Sequence, residues 1–63
     1  MTKQAAYDKA KKMAQLTGEA AFIVYDPVDD FDTSPERPYT VMDGDTFEWE
    51  GYRECDLIDI VEP

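Results

Sequence analysis

"YTVMDGDTFEWEGYRE", Tyr39 to Glu54, decides how the second half of the chain folds. Asp43-Gly44 lies between two segments in which apolar and polar residues alternate. An Asp-Gly pair so placed is a strong hairpin signal, because the tightest hairpin turn needs positive φ at both central positions. This spacing predicts strands over 38–42 and 45–50. Glu50-Gly51 then either turns a second hairpin or bends the chain into a last strand over 53–61. A two-residue turn there would set Trp49 opposite Tyr52 and Glu48 opposite Arg53, an aromatic pair and an opposite-charge pair.

Upstream, the clearest element is a helix over residues 3–17. Ala6, Tyr7, Ala10, Met13, Ala14 and Leu16 recur on one side at 3.6 residues per turn, and Gln4, Asp8, Lys11, Lys12 and Gln15 fall on the other. Thr2 can cap its start and Gly18 can end it in the left-handed conformation. "AAFIVYD" follows and reads as a strand over 20–25. Residues 26–38 hold three prolines and five acids, a composition that sustains neither helix nor ladder, and so form an acidic loop. The fold class expected is α+β: one N-terminal amphipathic helix on a three- to four-stranded antiparallel sheet, in a single small domain over 1–63. Phe22, Val24, Val41, Phe47 and Trp49, with some of Leu57, Ile58 and Ile60, are expected beneath the helix. The opposite face is expected to stay partly acidic.

A chain of 63 residues buries only about 60% of its unfolded surface. Apolar residues at 43% and aromatics at 13% still favour a folded domain over a disordered acidic tail. There is no histidine, which removes the commonest general base near neutral pH and the commonest imidazole metal ligand. Cys55 has no histidine partner and is expected to be a buried, inert thiol. Ser34, beside Pro35, reads as a turn residue. Paired carboxylates could do acid/base work, yet so small a domain offers little room to separate two carboxyl pKa values. The expectation is a protein without catalysis, cofactor or metal. No apolar run approaches the about 20 residues that cross a bilayer, and a lone cysteine fits a reducing compartment, so a cytoplasmic location is expected.

Charge is distributed unevenly. Residues 1–18 carry four lysines and one aspartate, and residues 19–63 carry fourteen carboxylates against Arg37 and Arg53. The net charge of −9 opposes direct binding to nucleic acid or to an anionic membrane, because the phosphate term would be repulsive. Asp26, Asp29, Asp30, Asp32 and Glu36 could offer oxygen ligands to calcium, but their spacing departs from the D-x-[DN]-x-[DN]-G-x5-E loop and lacks its glycine. The favoured use of the acids is presentation to a partner. Alternate strand residues stand about 6.6 Å apart on one face, which would pair Asp43 with Asp45, Glu48 with Glu50, and Glu54 with Asp56. The partner-binding set is therefore Asp43, Asp45, Glu48, Glu50 and Glu54 on a stiff support, with Asp26, Asp29, Asp30, Asp32 and Glu36 in the loop, and Tyr52. The stiff set would fix the bound register and the loop set would steer association.

In size, charge, lack of catalytic residues and small α+β layout, the chain resembles small acidic phage-encoded inhibitors of the nucleic-acid-mimic type, among them anti-CRISPR and anti-restriction proteins. The resemblance implies a monomer or weak dimer in the host cytoplasm that occupies a basic, nucleic-acid-binding surface of a defence complex and blocks it stoichiometrically. It transfers no residue roles. The alternative is a small regulatory or adaptor subunit that recognises one folded partner through Tyr39, Tyr52 and Arg53 beside the carboxylates. Self-repulsion in so acidic a chain predicts that its thermal midpoint rises from low to physiological salt, where screening shortens repulsion to about 8 Å. A midpoint that falls steadily over that range would contradict the prediction.

Overall fold

The computed structural model describes residues 1–26 and 38–63. In chain order the elements are α1 (Lys3–Thr17), β1 (Ala21–Tyr25), β2 (Tyr39–Asp43), α2 (Gly44–Trp49), a single 3-10 turn (Glu54–Asp56) and β3 (Leu57–Val61). The three strands form one sheet in the order β2-β1-β3, and β1 runs antiparallel to both neighbours. The layout is α+β, with the N-terminal helix on a three-stranded antiparallel sheet. Among the described residues no helix is long and apolar enough to cross a membrane.

Helix α1 begins and ends on local chemistry visible in the sequence. The Thr2 hydroxyl accepts a hydrogen bond from the Ala5 amide at 3.1 Å. Gly18 takes φ of 74° and its amide donates to the Ala14 carbonyl at 2.9 Å, closing the last turn. Ala6, Ala10 and Ala14 form one ridge at i, i+4 and i+8, and all three are fully buried. Alanine adds no side-chain entropy cost and keeps the helix backbone close to the sheet. Beneath the ridge lie Ala21, Ile23 and Val41, flanked by Met1, Tyr7, Met13, Tyr39 and Val61.

The register sets which residues share a face. Ile23 is opposite Val41 on one side and Asp59 on the other, so Ala21, Ile23, Val41, Asp59 and Val61 face α1. Phe22, opposite Met42 and Ile60, belongs to the other face with Val24. The expected helix-facing set was therefore of the wrong parity except for Val41. "AFIVY" is apolar at both parities, so alternation within it cannot choose the face. The choice falls to side-chain size: an alanine ridge accepts Ala21 closely, while Phe22 needs a partner of its own length. That partner is Phe47 of α2, with ring centroids 5.2 Å apart. The face opposite α1 is thus an apolar second layer, where a partly acidic one was expected, and Val24 and Met42 are buried in it.

The second correction concerns the quoted stretch itself. Residues 45–50 do not form a strand, and Asp43-Gly44 is not a hairpin turn: Gly18 and Gly51 alone among the described residues have positive φ. Asp43 instead has an extended backbone, and its carboxylate accepts from the Thr46 amide at 2.7 Å, which caps a helix. At the other end Gly51 has φ of 79°; its amide donates to the Glu48 carbonyl at 3.1 Å and the Tyr52 amide to the Phe47 carbonyl at 3.3 Å. This paired closure has its expected apolar contact, the Phe47 and Tyr52 rings stacking at 5.9 Å. Glu50-Gly51 therefore ends a helix where a hairpin turn was weighed, and Tyr52 meets Phe47 rather than Trp49. β2, α2 and β3 form a crossover in which β1 fills the place between two parallel strands.

Two further contacts tie the layers together. The Tyr7 hydroxyl donates to Asp59 Oδ2 at 2.6 Å, linking α1 to β3. At the end of β1 the Asp26 amide donates to the Pro38 carbonyl at 2.7 Å, next to the edge-to-face pair of Tyr25 and Tyr39. Leu16, expected on the apolar side of α1, is 86% exposed, because two residues past Ala14 is more than half a turn round the helix, away from the stripe that meets the sheet.

The packing predicts opposite outcomes for two substitutions on α1. Ala10→Leu overfills the middle of the buried alanine ridge and should destabilise by about 1–3 kcal/mol. Leu16→Ala should change stability by less than about 0.5 kcal/mol. Urea midpoints followed by circular dichroism check both; equal effects would place the core elsewhere.

Candidate protein-binding surface

The acids expected on a hairpin are instead distributed around α2. A hydrogen-bonded, six-residue helix with Phe47 turned toward Phe22 must turn Asp45, Glu48 and Trp49 the other way. These positions are spaced i, i+3 and i+4 and share one side of a helix. All three are exposed, and Trp49 is 86% exposed. The outward face of α2 is therefore an indole beside two carboxylates. Trp49 was expected in the core or paired with Tyr52, so its role as a presented side chain was missed. The signal that would have found it was the combination of Asp43 as a cap and Gly51 as a stop, six positions of helix apart.

The remaining acids do separate work. Asp43 is occupied by its cap: hydrogen bonds from Thr46 hold its carboxyl below the usual carboxylate range, against a small opposing effect of desolvation. Asp56 accepts from the Arg53 amide at 3.1 Å and so closes the 3-10 turn. Glu54 is exposed in that turn, and the strand-like pairing of Glu54 with Asp56 does not exist. Nor does a strand align Asp43 with Asp45 or Glu48 with Glu50. Cys55, expected to be buried, is exposed, in a 3-10 turn none of whose residues is buried.

Asp26, Glu50 and Tyr52, all expected in the partner-binding set, border one open cleft of about 290 Å³, with Thr40, Met42 and Thr46. The Tyr52 hydroxyl donates to Asp26 Oδ2 at 2.8 Å, so the end of α2 is fastened to the end of β1 at this point. Asp29, Asp30, Asp32 and Glu36 lie outside the described residues, and with them most of the calcium reading. Among the described residues no group of three or more acids or cysteines is placed to hold a metal ion.

The electrostatics divide by layer. Lys3, Lys9, Lys11 and Lys12 are exposed on α1, on one side of the sheet. Asp45, Glu48, Glu50 and Glu54 are exposed on and just after α2, which packs on the other side. Asp8 and Asp59 are also exposed on the α1 side and Arg53 beside Glu54, so the division is one of excess, with lysines predominating on α1 and carboxylates on and after α2. The chain matches no protein-family model, no curated protein and no solved structure.

The cap of α2 generates a pH prediction. The folded Asp43 carboxyl has a depressed pKa, so its contribution is complete above the ordinary carboxylate value and is lost as pH falls through the folded one. Asn caps about as well as Asp. Asp43→Asn should therefore keep α2 at pH 7 and lose less stability than the parent as pH drops below about 4. Denaturant unfolding at stepped pH tests this, and parallel acid profiles for the two proteins would refute it.

Proposed function

We propose that this protein is a non-enzymatic acidic binding protein of the cytoplasm, which occupies a basic, nucleic-acid-binding surface of a partner protein and blocks it by competition. The observation that carries the reading is the segregation of charge: the exposed carboxylates of α2 and the following turn occupy one layer, and the lysines of α1 occupy the other. Lysine and arginine side chains that hold phosphates also hold carboxylates, in the case of arginine often bidentately. A rigid acidic layer can then fill a groove built for a polyanion. Anti-CRISPR and anti-restriction inhibitors that mimic nucleic acid act in this way, and the proposal places the chain among proteins that work like them.

A second reading has one specific observation in its favour. A phosphate mimic needs charge alone, whereas Trp49 is a large apolar side chain left in water. Tryptophan is among the residues that most often dominate protein–protein affinity. A small regulatory or adaptor subunit that recognises a single folded protein would use such a residue.

The two readings separate by competition. Partner protein captured from native host cells is purified and titrated with this chain in the presence and absence of duplex DNA and of RNA. Mimicry predicts mutual exclusion with one of the two nucleic acids, and an affinity that falls steeply with salt. A ternary complex with both nucleic acids, at undiminished affinity, would rule mimicry out and leave the adaptor reading.

A further inference from the structure

The outward face of α2 has a feature that charge mimicry does not use. Among the described residues Trp49 is one of two large apolar side chains that are 86% exposed; the other, Leu16, lies more than half a turn round α1 from Ala14, on the side that carries Lys9 and Lys12. Trp49 differs in its setting: its exposed neighbours are acids, and its short helix, like α1, is fixed at both ends. Asp43 caps the start, Gly51 and Tyr52 close the finish, and Phe47 is held between Phe22 and Tyr52. The indole is therefore presented on an immobilised backbone, and little further backbone entropy is lost when it enters a pocket. It also contributes almost no burial to the fold, so the fold does not account for it.

The neighbours of Trp49 define what it can enter. Asp45, at i−4, and Glu48, at i−1, lie on the same exposed side. An apolar pocket lined by acids would bring like charges together, and an uncharged pocket would leave these two carboxylates without compensation as water is excluded. A pocket rimmed by lysine or arginine satisfies all three groups at once, and arginine can in addition lie over the indole face. A second copy of this chain is a poor occupant. Two molecules of net charge −9 repel, and an α2-to-α2 contact would oppose Asp45 and Glu48 to their own copies.

We infer that Trp49 is the anchor of a protein interface, inserting into an apolar pocket rimmed by Lys or Arg on a partner protein, with Asp45 and Glu48 as its charged flank. The inference rests on the reading that the chain binds a basic protein surface, and it adds the place and the chemistry of the contact. Under it, affinity is concentrated in one side chain, and the carboxylates chiefly govern the rate and salt dependence of association.

The test uses the whole chain and two variants, Trp49→Ala and the double variant Asp45→Asn with Glu48→Gln, each first shown by circular dichroism to keep the parent's helix content and urea midpoint. Each is immobilised and exposed to the same native-host lysate, and proteins retained by the parent are identified, purified and titrated in solution. The expected result is a partner whose affinity falls about thirtyfold or more with Trp49→Ala, mainly through faster dissociation. The emission of Trp49 should shift to the blue when that partner is added. The double variant should associate more slowly and show a weaker salt dependence, with dissociation little changed. Equal affinity of the parent and Trp49→Ala for every retained partner, an unshifted emission, or no retained partner at all would overturn the inference. So would concentration-dependent self-association abolished by Trp49→Ala, which would assign the indole to a second copy. A partner that is lost with Trp49→Ala but not displaced by DNA or RNA defeats mimicry and keeps the anchor. One displaced by nucleic acid yet still held by Trp49→Ala does the reverse.

Discussion

Strand β1 has no hydrophilic side. Ala21, Ile23 and Val24 are fully buried, Phe22 is partly so, and the strand is hydrogen-bonded along both edges. An apolar strand at the centre of a sheet must be covered on both faces, and a sheet of three short strands cannot do that for itself. Everything else in the molecule answers that demand. The alanine ridge of α1 covers the Ala21 and Ile23 side, and α2 lays Phe47 on the Phe22 side. The short helix is therefore required by the strand, even though its own six residues bury nothing completely. Its stability comes from its two ends and one aromatic contact, as expected where a helix is too short to persist alone.

The parts of the fold that were legible in the sequence are those where one local rule acts unopposed. α1 runs over 3–17 as its periodicity, Thr2 and Gly18 indicate, and "AFIVY" is a strand because an apolar run of that length between breakers has few alternatives. The quoted stretch was misread because two rules compete in it. Asp-Gly serves a tight hairpin turn and equally serves the start of a helix, where Asp is the cap and Gly the first residue. Strand alternation in "DTFEWEG" is weak, since Phe47 and Trp49 are also compatible with a short helix that turns one ring in and the other out. What settles the choice is tertiary: Phe22 needs an aromatic partner across the face that α1 does not cover. The candidate surface shared this fate. The acids around α2 were identified by residue type, but their common face depended on the helix, and Trp49 was assigned to the core by the same error.

The small size of the domain also explains how the acids are used. Asp43, Asp56, Asp26 and Asp59 each accept a hydrogen bond that closes a local structure: a helix start, a 3-10 turn, a strand end and a helix–strand contact. With so little apolar area available, polar closure of this kind replaces part of what a larger core would do. Asp45, Glu48, Glu50 and Glu54 are instead exposed to solvent on and after α2. The negative charge of the chain is in this sense of two kinds, one spent inward on architecture and one directed outward.

The contact between Tyr7 and Asp59 bears on a hazard that any three-stranded sheet carries. β2 and β3 are both edge strands, and β3, "LIDIV", shows two exposed isoleucines, Ile58 and Ile60. An apolar edge of that kind is a template for pairing with other chains. Two devices interrupt it: the irregularity in pairing between Ile23 and Val24, which leaves Ile58 as the extra residue, and the charge of Asp59 in the middle of the strand. The Tyr7 phenol, the Ile60 amide and Lys3 hold Asp59 ionised below the usual carboxylate range, while Asp59 in turn raises the Tyr7 phenol above its ordinary 10.0. The same bond that seats α1 on the sheet thus favours the ionised form of the one charged side chain within β3. A charge held in the middle of an edge strand opposes its pairing with a second chain, since an in-register pair of such edges would bring Asp59 against its own copy.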